Sequence, residues 1–310
     1  MEKSREIRNK IKSVTGTRKI TKAMEMIASS KIRKAQNRIM EARAFILNIE
    51  DVITDIACHS GLINEPLLIP HSQEKVVLVI GITADRGLCG GYNANIIRLI
   101  ESTIKKFRSD GLEVKLDIIG TRGKNYFKYI GFPISRIYEN LSDYPKFLDA
   151  REISKDIISR YISEEIDKVI VCYTRFKNPA EQIPTSRQIL PIPIEEKMFK
   201  GEVKELGPGK VQIGDRVCSI ITEFIYDPSL KDILDSILPQ YIYTTIYGAL
   251  LDSTASETGA RMTAMRSASD NAEEMIKELI QLYHRARQQQ ITMEITEIVS
   301  GSEALSAGAE

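Results

Sequence analysis

A heptad repeat near the start of the chain constrains the fold more than any other feature of the sequence. Apolar or small residues recur there at alternating steps of four and three positions, at Ala28, Ile32, Ala35, Ile39, Ala42, Ile46, Ile49, Ile53 and Ile56. This spacing is the pattern of a left-handed coiled coil. If residues 4–57 are helical throughout, they extend for roughly 80 Å, about twice what a compact domain of this size needs. The helix therefore requires a partner.

Upstream of this repeat the apolar positions are less regular. Residues with the same spacing occur at Ile7, Ile11 and Val14. Gly16 then interrupts the pattern, and a group in a different phase resumes it, at Ile20, Met24 and Ile27. The stretch 21–36 mixes methionines, alanines and serines with basic residues and has no glycine or proline, which predicts a helix with thin side chains.

The partner helix is predicted in the same chain. No proline occurs after Pro239, and a second seam with the same steps comprises Met262, Met265, Ser269, Ala272, Ile276, Leu279, Tyr283, Ala286, Gln290 and Met293. Residues 1–43 contain thirteen Lys/Arg and four Asp/Glu, whereas residues 252–310 contain five and ten. Two such helices are expected to pair antiparallel if the middle of the chain brings them to one side. The alternative is that each is a core helix of an all-α bundle.

The middle of the chain predicts a different architecture. Strands are expected at residues 76–83, 115–120 and 168–176, alternating with helices at 93–108, 125–129 and 151–166. This alternation indicates an α/β fold with a parallel sheet. The proline-rich stretch 177–229 is expected to form short strands and loops, and the C-terminal helix is expected to begin at about Ser229.

Residue usage argues against several classes of protein. The longest apolar runs are far shorter than the roughly 20 residues of a membrane span, and the charged N-terminus lacks the apolar stretch of a signal peptide. The four cysteines have no CxxC spacing, so we expect neither a zinc site nor a redox pair, and a reducing cytoplasm fits best. The three histidines are scattered in sequence, which lowers the expectation of a metal site.

The turn DRGLCGG at residues 85–91 follows a predicted strand and precedes a predicted helix. A phosphate-binding turn has this order of elements, because backbone amides and a helix N-terminus together hold an anion. However, Gly87, Gly90 and Gly91 do not give the GxGxxG spacing, and no Walker lysine follows. Close packing of the strand against the helix explains the glycines equally well.

Candidate catalytic groups are also weak. The carboxylate pairs Glu273/Glu274 and Glu294/Glu297 lie on a predicted helix without a pocket, and the G-x-S-x-G pattern of a nucleophilic serine is absent. Nothing in the chain predicts an active site.

Three long motifs carry a resemblance to a known family. They are REIRNKIKSVTGTRKITKAMEMIASSKIRKAQ near the start, TADRGLCGGYN in the middle, and GARMTAMRSASDNAEEMIKEL followed by RARQQQITMEITEIVSG near the end. Together they resemble the gamma subunit of the F-type, proton-translocating ATP synthase, in its bacterial type. The sequence departs from the family in two ways. Arg18 stands where the usual TQKIT motif has glutamine, and the paired regulatory cysteines of chloroplast members are absent.

The resemblance implies a fold. It comprises a Rossmann-like parallel-sheet base domain and a long antiparallel coiled coil formed by the N- and C-terminal helices. The domains expected on this basis are an N-terminal coiled-coil helix (1–58), an α/β base domain (75–195), a variable loop region (196–228) and a C-terminal coiled-coil helix (229–310).

The resemblance also implies a function, that of a central rotor shaft without catalytic activity or cofactor. The shaft would couple proton flow through the membrane sector to ATP synthesis or hydrolysis at the catalytic beta subunits. Its expected partners are the alpha and beta subunits of the catalytic hexamer, the epsilon subunit and the membrane c-ring, and no nucleic acid. The complex would hold the chain peripherally at the cytoplasmic face of the cell membrane.

Site residues are carried over by motif. The expected coupling contacts to the catalytic ring are Met24, Arg261, Gln288, Thr292, Glu294 and Glu297. The expected structural turn of the base domain, without a nucleotide, comprises Asp85, Arg86, Gly87, Gly90 and Gly91.

Two hypotheses of other classes stay open at this point. One is a nucleotide-dependent enzyme that uses the turn at 83–93 and dimerises through a coiled-coil arm. The other is a coiled coil that binds nucleic acid through its basic N-terminal helix. Nucleotide binding by the isolated chain would favour the first, and steeply salt-dependent DNA binding would favour the second.

Overall fold

The computed structural model describes residues 2–60, 65–193, 204–207, 210–213, 216–219 and 229–307. The chain divides into two compact units. Residues 1–28 and 261–310 form one, here called the coiled-coil unit, and residues 29–260 form the other, the base unit.

The base unit is built on a five-stranded sheet. Its strands are β1 (Val76–Ile82), β2 (Glu113–Ile119), β3 (Arg136–Tyr138), β4 (Lys168–Asn178) and β5 (Glu181–Leu190). Their order across the sheet is β3-β2-β1-β4-β5. Strands β1 to β4 are parallel, and β5 runs antiparallel to β4. The order 3-2-1-4 is that of a Rossmann-like fold, so the predicted α/β class is confirmed.

Helices cover both faces of this sheet. On one face, α2 (Tyr92–Ser109) and α3 (Thr121–Tyr129) enclose a core that includes Val79, Ile100, Leu116 and Phe127. On the other face, α4 (Phe147–Ile162) packs with parts of the two terminal helices around Ile80, Ile157, Tyr161 and Ile242. Because both faces are covered, β1 and the first part of β4 read as continuous apolar runs, which made them predictable. β2 was predicted although it contains Lys115 and Asp117.

Three helix boundaries differ from the prediction, and a capping contact explains the first of them. Helix α4 begins at Phe147 rather than 151, since the Asp149 carboxylate accepts a hydrogen bond from the Lys146 amide at 2.9 Å. It ends at Ile162 rather than 166, and Glu164 just beyond it has a positive φ of 57°. Helix α3 begins at Thr121, four residues before the predicted start. The edge strand β3 was missed because it has only three residues.

The terminal helices are α1 (Glu2–Ser60) and α5 (Leu230–Ala307). Helix α5 begins where predicted, because the Ser229 hydroxyl accepts a hydrogen bond from the Asp232 amide at 3.2 Å. In the base unit, Arg43 of α1 pairs with Asp252 of α5, and a methyl group at Gly248 would lie 3.0 Å from Ile46. Residue numbers thus rise on α1 as they fall on α5. The helices form the predicted antiparallel coiled coil.

The predicted seam of α1 from Ala28 to Ile56 is confirmed, because seven of its nine residues are buried and Ala35 and Ile49 are half-buried. The stretch 177–229 is more ordered in its first part than predicted, since β5 is a ten-residue strand. Farther on, β6 (Lys204–Gly207), β7 (Lys210–Ile213) and β8 (Arg216–Ser219) form a small antiparallel sheet. The rest of the predicted variable region, at 196–203, 208–209, 214–215 and 220–228, lies outside the described residues.

None of the helices in the described part of the chain combines the length and the hydropathy that crossing a membrane requires. Cys89 and Cys172 are buried and form no disulfide, and the side chains of Cys58 and Cys218 lie outside the described set.

Candidate functional site

The coiled-coil unit contains all six residues expected to contact the catalytic ring. Within it, Arg18 of α1 and Glu273 of α5 form an ion pair of 2.7 Å. Their side chains are nearly half exposed, so the pair contributes at most about 1 kcal/mol. This contact agrees with the prediction that the basic and acidic ends of the chain attract each other. It also gives Arg18, a departure from the family motif, a structural partner.

The predicted change of phase between Gly16 and Ile27 is wrong. Helix α1 passes through Gly16 without a break, and Thr21 and Ala28 are buried, seven residues apart. The seam therefore keeps the register of the downstream repeat, with Arg18, Thr21 and Glu25 at its positions. Polar residues hid this register in the sequence. Glu25 keeps only 16% of its side chain exposed and pairs with Lys22 at 3.0 Å.

Because the register does not shift, apolar side chains of α1 face outward. Ile20, Met26 and Ile27 are 63%, 66% and 59% exposed. Met24 is half-buried, and Ala23, Ser29 and Ser30 are exposed small residues between the bulky ones. Contact surfaces for other proteins are commonly rich in exposed apolar side chains.

The second seam, on α5, is confirmed from Met262 to Gln290, where every position is buried or half-buried. It fails at Met293, which is 64% exposed. From residue 291 to residue 300 every side chain of α5 is exposed. The large apolar residues there are Ile291, Met293, Ile295, Ile298 and Val299. They occupy more than one face of the helix, so no single partner helix could cover them.

The six predicted contact residues do not meet in one pocket. Met24 and Arg261 are half-buried, and the other four are exposed on the last part of α5, namely Gln288, Thr292, Glu294 and Glu297. Three of these four take part in hydrogen bonds within the helix: the Thr292 hydroxyl donates to the Gln288 carbonyl at 2.9 Å, and Gln290 donates to Glu294 at 3.0 Å. The arrangement is a surface along two helices rather than a cleft.

The glycine-rich turn lies in the base unit, between β1 and α2. Asp85 at its start accepts hydrogen bonds from the Thr121 amide and hydroxyl, both at 3.0 Å, and from the Ser142 amide at 3.1 Å. Burial raises the pKa of Asp85, but these hydrogen bonds outweigh burial and hold that pKa below its usual value. Asp85 therefore acts as a fixed anion that joins three segments of the base.

The same turn satisfies the first amides of α3. The Thr121 amide donates to Asp85, the Arg122 amide to the Ala84 carbonyl at 3.0 Å, and the Gly123 amide to the Thr83 hydroxyl at 3.0 Å. These are donors that an anion at the helix N-terminus would otherwise use. The protein itself occupies this end of α3.

Two glycines of the turn lie at positions with geometric constraints. Gly90 has a positive φ of 55°, and Leu88 beside it has a φ of 62°. A methyl group at Gly87 would lie 2.8 Å from the Arg122 guanidinium. Arg86 is mostly exposed and pairs with Asp143 at 3.4 Å, and Lys31 of α1 contacts the same carboxylate at 3.3 Å. The turn is thus tied to α1 as well as to α3.

Sequence reasoning missed the tightest packing in this region, which involves Gly120. This residue has a φ of 101°, and a methyl group on it would lie 2.2 Å from the Thr83 carbonyl oxygen. A glycine at the last position of the predicted strand 115–120 was the only signal that could have indicated it.

Comparison with known proteins gives a consistent result. The family model described as ATP synthase matches residues 3–305. The ATP synthase gamma chain of Desulforamulus reducens is 39% identical over 307 residues, which cover 98% of this chain and 100% of that protein. The gamma chain of Gloeothece citriformis is also 39% identical, with 96% of this chain and 98% of that protein covered.

Solved structures agree on the fold. A chain of the central stalk and c-ring structure of the Tetrahymena thermophila mitochondrial ATP synthase matches with a TM-score of 0.57 and 25% identity, covering 81% of this chain and 99% of that one. A chain of the Euglena gracilis mitochondrial ATP synthase matches with a TM-score of 0.67 and 16% identity, covering 99% and 96%. On the sequence matches, which extend over nearly its whole length, this chain belongs to the family of ATP synthase gamma chains.

Proposed function

We infer that this chain is the central rotor shaft of an F-type ATP synthase, which couples proton flow through the membrane sector to ATP synthesis or hydrolysis at the catalytic beta subunits. The observation that carries this inference is the exposed apolar surface of the coiled-coil unit. Its two parts are the outward residues Ile20, Met26 and Ile27 of α1 and residues 291–300 of α5, where every side chain is exposed. An exposed apolar surface of this kind indicates that other protein subunits surround the coiled-coil unit.

The role is mechanical. A shaft that is not symmetric about its axis presents a different surface to each catalytic subunit as it turns. Each contact then stabilises one conformational state of that subunit over the others, so rotation imposes the states in sequence. Small exposed residues such as Ala23, Ser29 and Ser30 suit a surface that must slide past successive partners. They have no bulky side chain that could interlock with a partner and hold the helix in one rotational position.

The specific contacts are proposals of the same kind. Met24 and Arg261 would lie along the coupling region, and Gln288, Thr292, Glu294 and Glu297 would make the polar contacts to the catalytic ring of alpha and beta subunits. The base unit would face the epsilon subunit and the membrane c-ring. The chain would be held peripherally at the cytoplasmic face of the cell membrane by the complex alone.

We further propose that the chain has no catalytic site and that the turn at 85–91 is structural. Two observations support this. The Asp85 carboxylate lies where the first amides of α3 converge, and those amides already have acceptors in residues 83–85. A phosphate there would have to displace a half-buried carboxylate of the same charge sign, which is unfavourable. These contacts disfavour a nucleotide phosphate at the N-terminus of α3.

Reconstitution tests the proposal. The purified chain is combined with alpha and beta subunits, and the ring that these subunits form is fixed to a surface. A visible probe is attached to the chain at Lys105→Cys, an exposed position on α2. We expect ATP-driven rotation of the probe in one direction, with three pauses per turn, and no ATP hydrolysis by the chain alone. Hydrolysis that persists in the purified chain, or a ring that turns over ATP without any rotation of the probe, would overturn the proposal.

A further inference from the structure

Helix α5 changes character where it reaches the end of the base unit. Farther back it is buried through apolar residues such as Ile242, Ile246 and Leu250. In residues 252–258 all positions but one are polar, and these polar residues, here called the polar collar, are Asp252, Ser253, Thr254, Ser256, Glu257 and Thr258. Thr254 is half-buried and the other members of the collar are buried. The helix is therefore enclosed at this level mainly by contacts with polar side chains.

Two hydroxyl groups of the collar contact carbonyl groups of the base. The Ser256 hydroxyl donates to the Thr174 carbonyl of β4 at 3.0 Å. The Thr254 hydroxyl lies 2.9 Å from two carbonyl oxygens, that of Ser142 between β3 and α4 and that of Leu250 in its own helix. The collar thus has hydrogen-bonding contacts with two separate segments around α5.

Two carboxylates of the collar face two further elements. Asp252 pairs with Arg43 of α1 at 2.9 Å. Glu257, only 2% exposed, lies beside the buried phenol of Tyr92 at the start of α2. Burial, and after it the Glu257 carboxylate, raise the pKa of Tyr92. The collar therefore contacts four different parts of the base unit.

These contacts are spread around the helix axis. Successive residues of a helix are turned by roughly 100°, so Asp252 and Thr254 point about 200° apart, and Ser256 and Glu257 point between them. Side chains that reach different neighbours over such a wide arc oppose rotation of the helix in either direction.

The chemistry of the collar suits this task better than an apolar contact would. Burial of apolar surface is not directional, so it holds a helix in place without fixing its angle precisely. Hydrogen bonds weaken steeply when they are misaligned, and buried polar networks make a structure rigid. Burying so many polar groups costs free energy unless they are paired. The sequence accepts this cost at the one level where α5 leaves the base unit.

We propose that the polar collar fixes α5 against rotation about its own axis in the base unit, and that it thereby transmits torque along this helix. Thr254, Ser256 and Glu257 are positioning residues in this account. The proposal rests on the rotor function and goes beyond it, because it assigns the resistance to twisting to a particular set of side chains.

The rotation assay with the probe at Lys105→Cys tests the proposal. The quantity measured is the variance of the probe angle during a pause, which increases as the path from the ring to the probe becomes easier to twist. The double variant Thr254→Val/Ser256→Ala removes two hydroxyl groups and keeps the side chains small and buried. We expect its variance to rise about 1.5-fold or more, because two of the four directional contacts are lost. The number of pauses per turn and the rate of ATP hydrolysis should stay the same.

Thr244→Val is the matched control. Thr244 lies on the same helix, is 3% exposed, and its hydroxyl donates to the Gln240 carbonyl of α5 at 2.8 Å. This variant also loses a buried hydroxyl, but the lost hydrogen bond lies within α5, so the variance should not change. The single variants Thr254→Val and Ser256→Ala should each give a smaller increase than the double variant. Thermal unfolding checks that every variant is folded.

Three outcomes would overturn the proposal. The first is a complex that rotates and whose variance is the same with the double variant as with the unaltered chain. The second is an equal increase in Thr244→Val, which would show general loosening of α5. The third is failure of both single variants to assemble, which would mean that the collar serves folding and not torque. Failure of the rotor function is recognised separately, because the unaltered chain would then not rotate at all.

Discussion

The two ends of α5 have similar apolar content and opposite surroundings. In the base unit, Ile242 and Leu250 are 0% and 2% exposed and pack into the core under the sheet. In the coiled-coil unit, Ile298 and Val299 are 71% and 50% exposed. One helix therefore uses isoleucine for two purposes. In the base the side chain stabilises this chain's own fold, and near the C-terminus it is available to a partner.

The largest expected effect comes from making the same substitution at both ends. Ile242→Ala should lower the free energy of unfolding by about 2–5 kcal/mol, because it leaves a cavity in the core. Ile298→Ala should change it by less than about 0.5 kcal/mol. Urea unfolding followed by tyrosine fluorescence measures this difference, since eleven of the twelve tyrosines lie in residues 29–260 and the chain has no tryptophan. If both variants lower the free energy of unfolding by the same amount, the isoleucines at the two ends of α5 do not differ in their contribution to the fold.

A pair of glycines sharpens the same comparison between the units. Gly120→Ala in the base should destabilise the chain by about 1–3 kcal/mol, because φ is positive and the new methyl group meets the Thr83 carbonyl. Gly16→Ala in α1 should instead stabilise the helix by roughly 0.5–1 kcal/mol, because alanine is the better helix former and the space around it is open.

Thermal unfolding of the two glycine variants gives the sign directly. The base should melt at a lower temperature in Gly120→Ala, and the helical signal of Gly16→Ala should be unchanged or higher. A loss of helix in Gly16→Ala would mean that the flexibility of this glycine, and not its place in a continuous helix, is what the coiled-coil unit requires.

Asp85 in the base should make the stability of the chain depend on pH. Its folded-state pKa lies below the unfolded value, so its contribution is fully present above the unfolded pKa and is lost as the pH falls through the folded one. Asp85→Asn should therefore cost about 1 kcal/mol near neutral pH. The difference from the unmodified chain should vanish in acid, well below the ordinary aspartate pKa of 3.8.

Asp110→Asn, at an exposed carboxylate that follows α2, is the matched control for the loss of one negative charge. It should leave stability unchanged across the same pH range. If Asp110→Asn shifts the curve as far as Asp85→Asn does, the effect reports net charge and not the hydrogen bonds from Thr121 and Ser142.

The smallest expected effect is in the coiled-coil unit. A double-mutant cycle on Arg18→Ala and Glu273→Ala should give a coupling of about 0.2–1 kcal/mol that decreases as salt is added, because both side chains are nearly half exposed. Circular dichroism of the purified chain measures it. A coupling above about 2 kcal/mol would show that this unit is held together as firmly as the base.

The sequence predicted most of the fold where one chemical signal dominates. The isoleucine-rich seam from Ala28 to Ile56 and the apolar runs of β1 and β4 are of this kind. Prediction failed where polar residues occupy buried positions. Thr21 and Glu25 hold the seam of α1 while Ile20 and Ile27 point outward, so the apolar pattern gave the wrong phase.

The candidate site was less predictable for a physical reason. Asp85 is fixed by Thr121 and Ser142, which lie 36 and 57 residues away in the chain, and no local pattern encodes such contacts. Likewise, the exposure of Met293 depends on whether another helix covers it, which spacing alone does not reveal. The roles of Met24, Arg261, Gln288, Thr292, Glu294 and Glu297 came from motifs, and they remain predictions.

The most direct test of the rotor assignment is the ratio of proton transport to ATP hydrolysis in membrane vesicles that carry Met24→Lys. A lysine at this half-buried position would place a cation against the partner surface, and an ion pair of about 1–3 kcal/mol would hold one rotational position roughly ten- to a hundredfold more than the others. Met24→Leu, of similar size and without charge, is the control. We expect Met24→Lys to assemble and hydrolyse ATP while proton transport falls much further, and Met24→Leu to keep the normal ratio. If both activities of Met24→Lys fall in proportion, or if the complex does not assemble, this surface is not the one that couples rotation to catalysis.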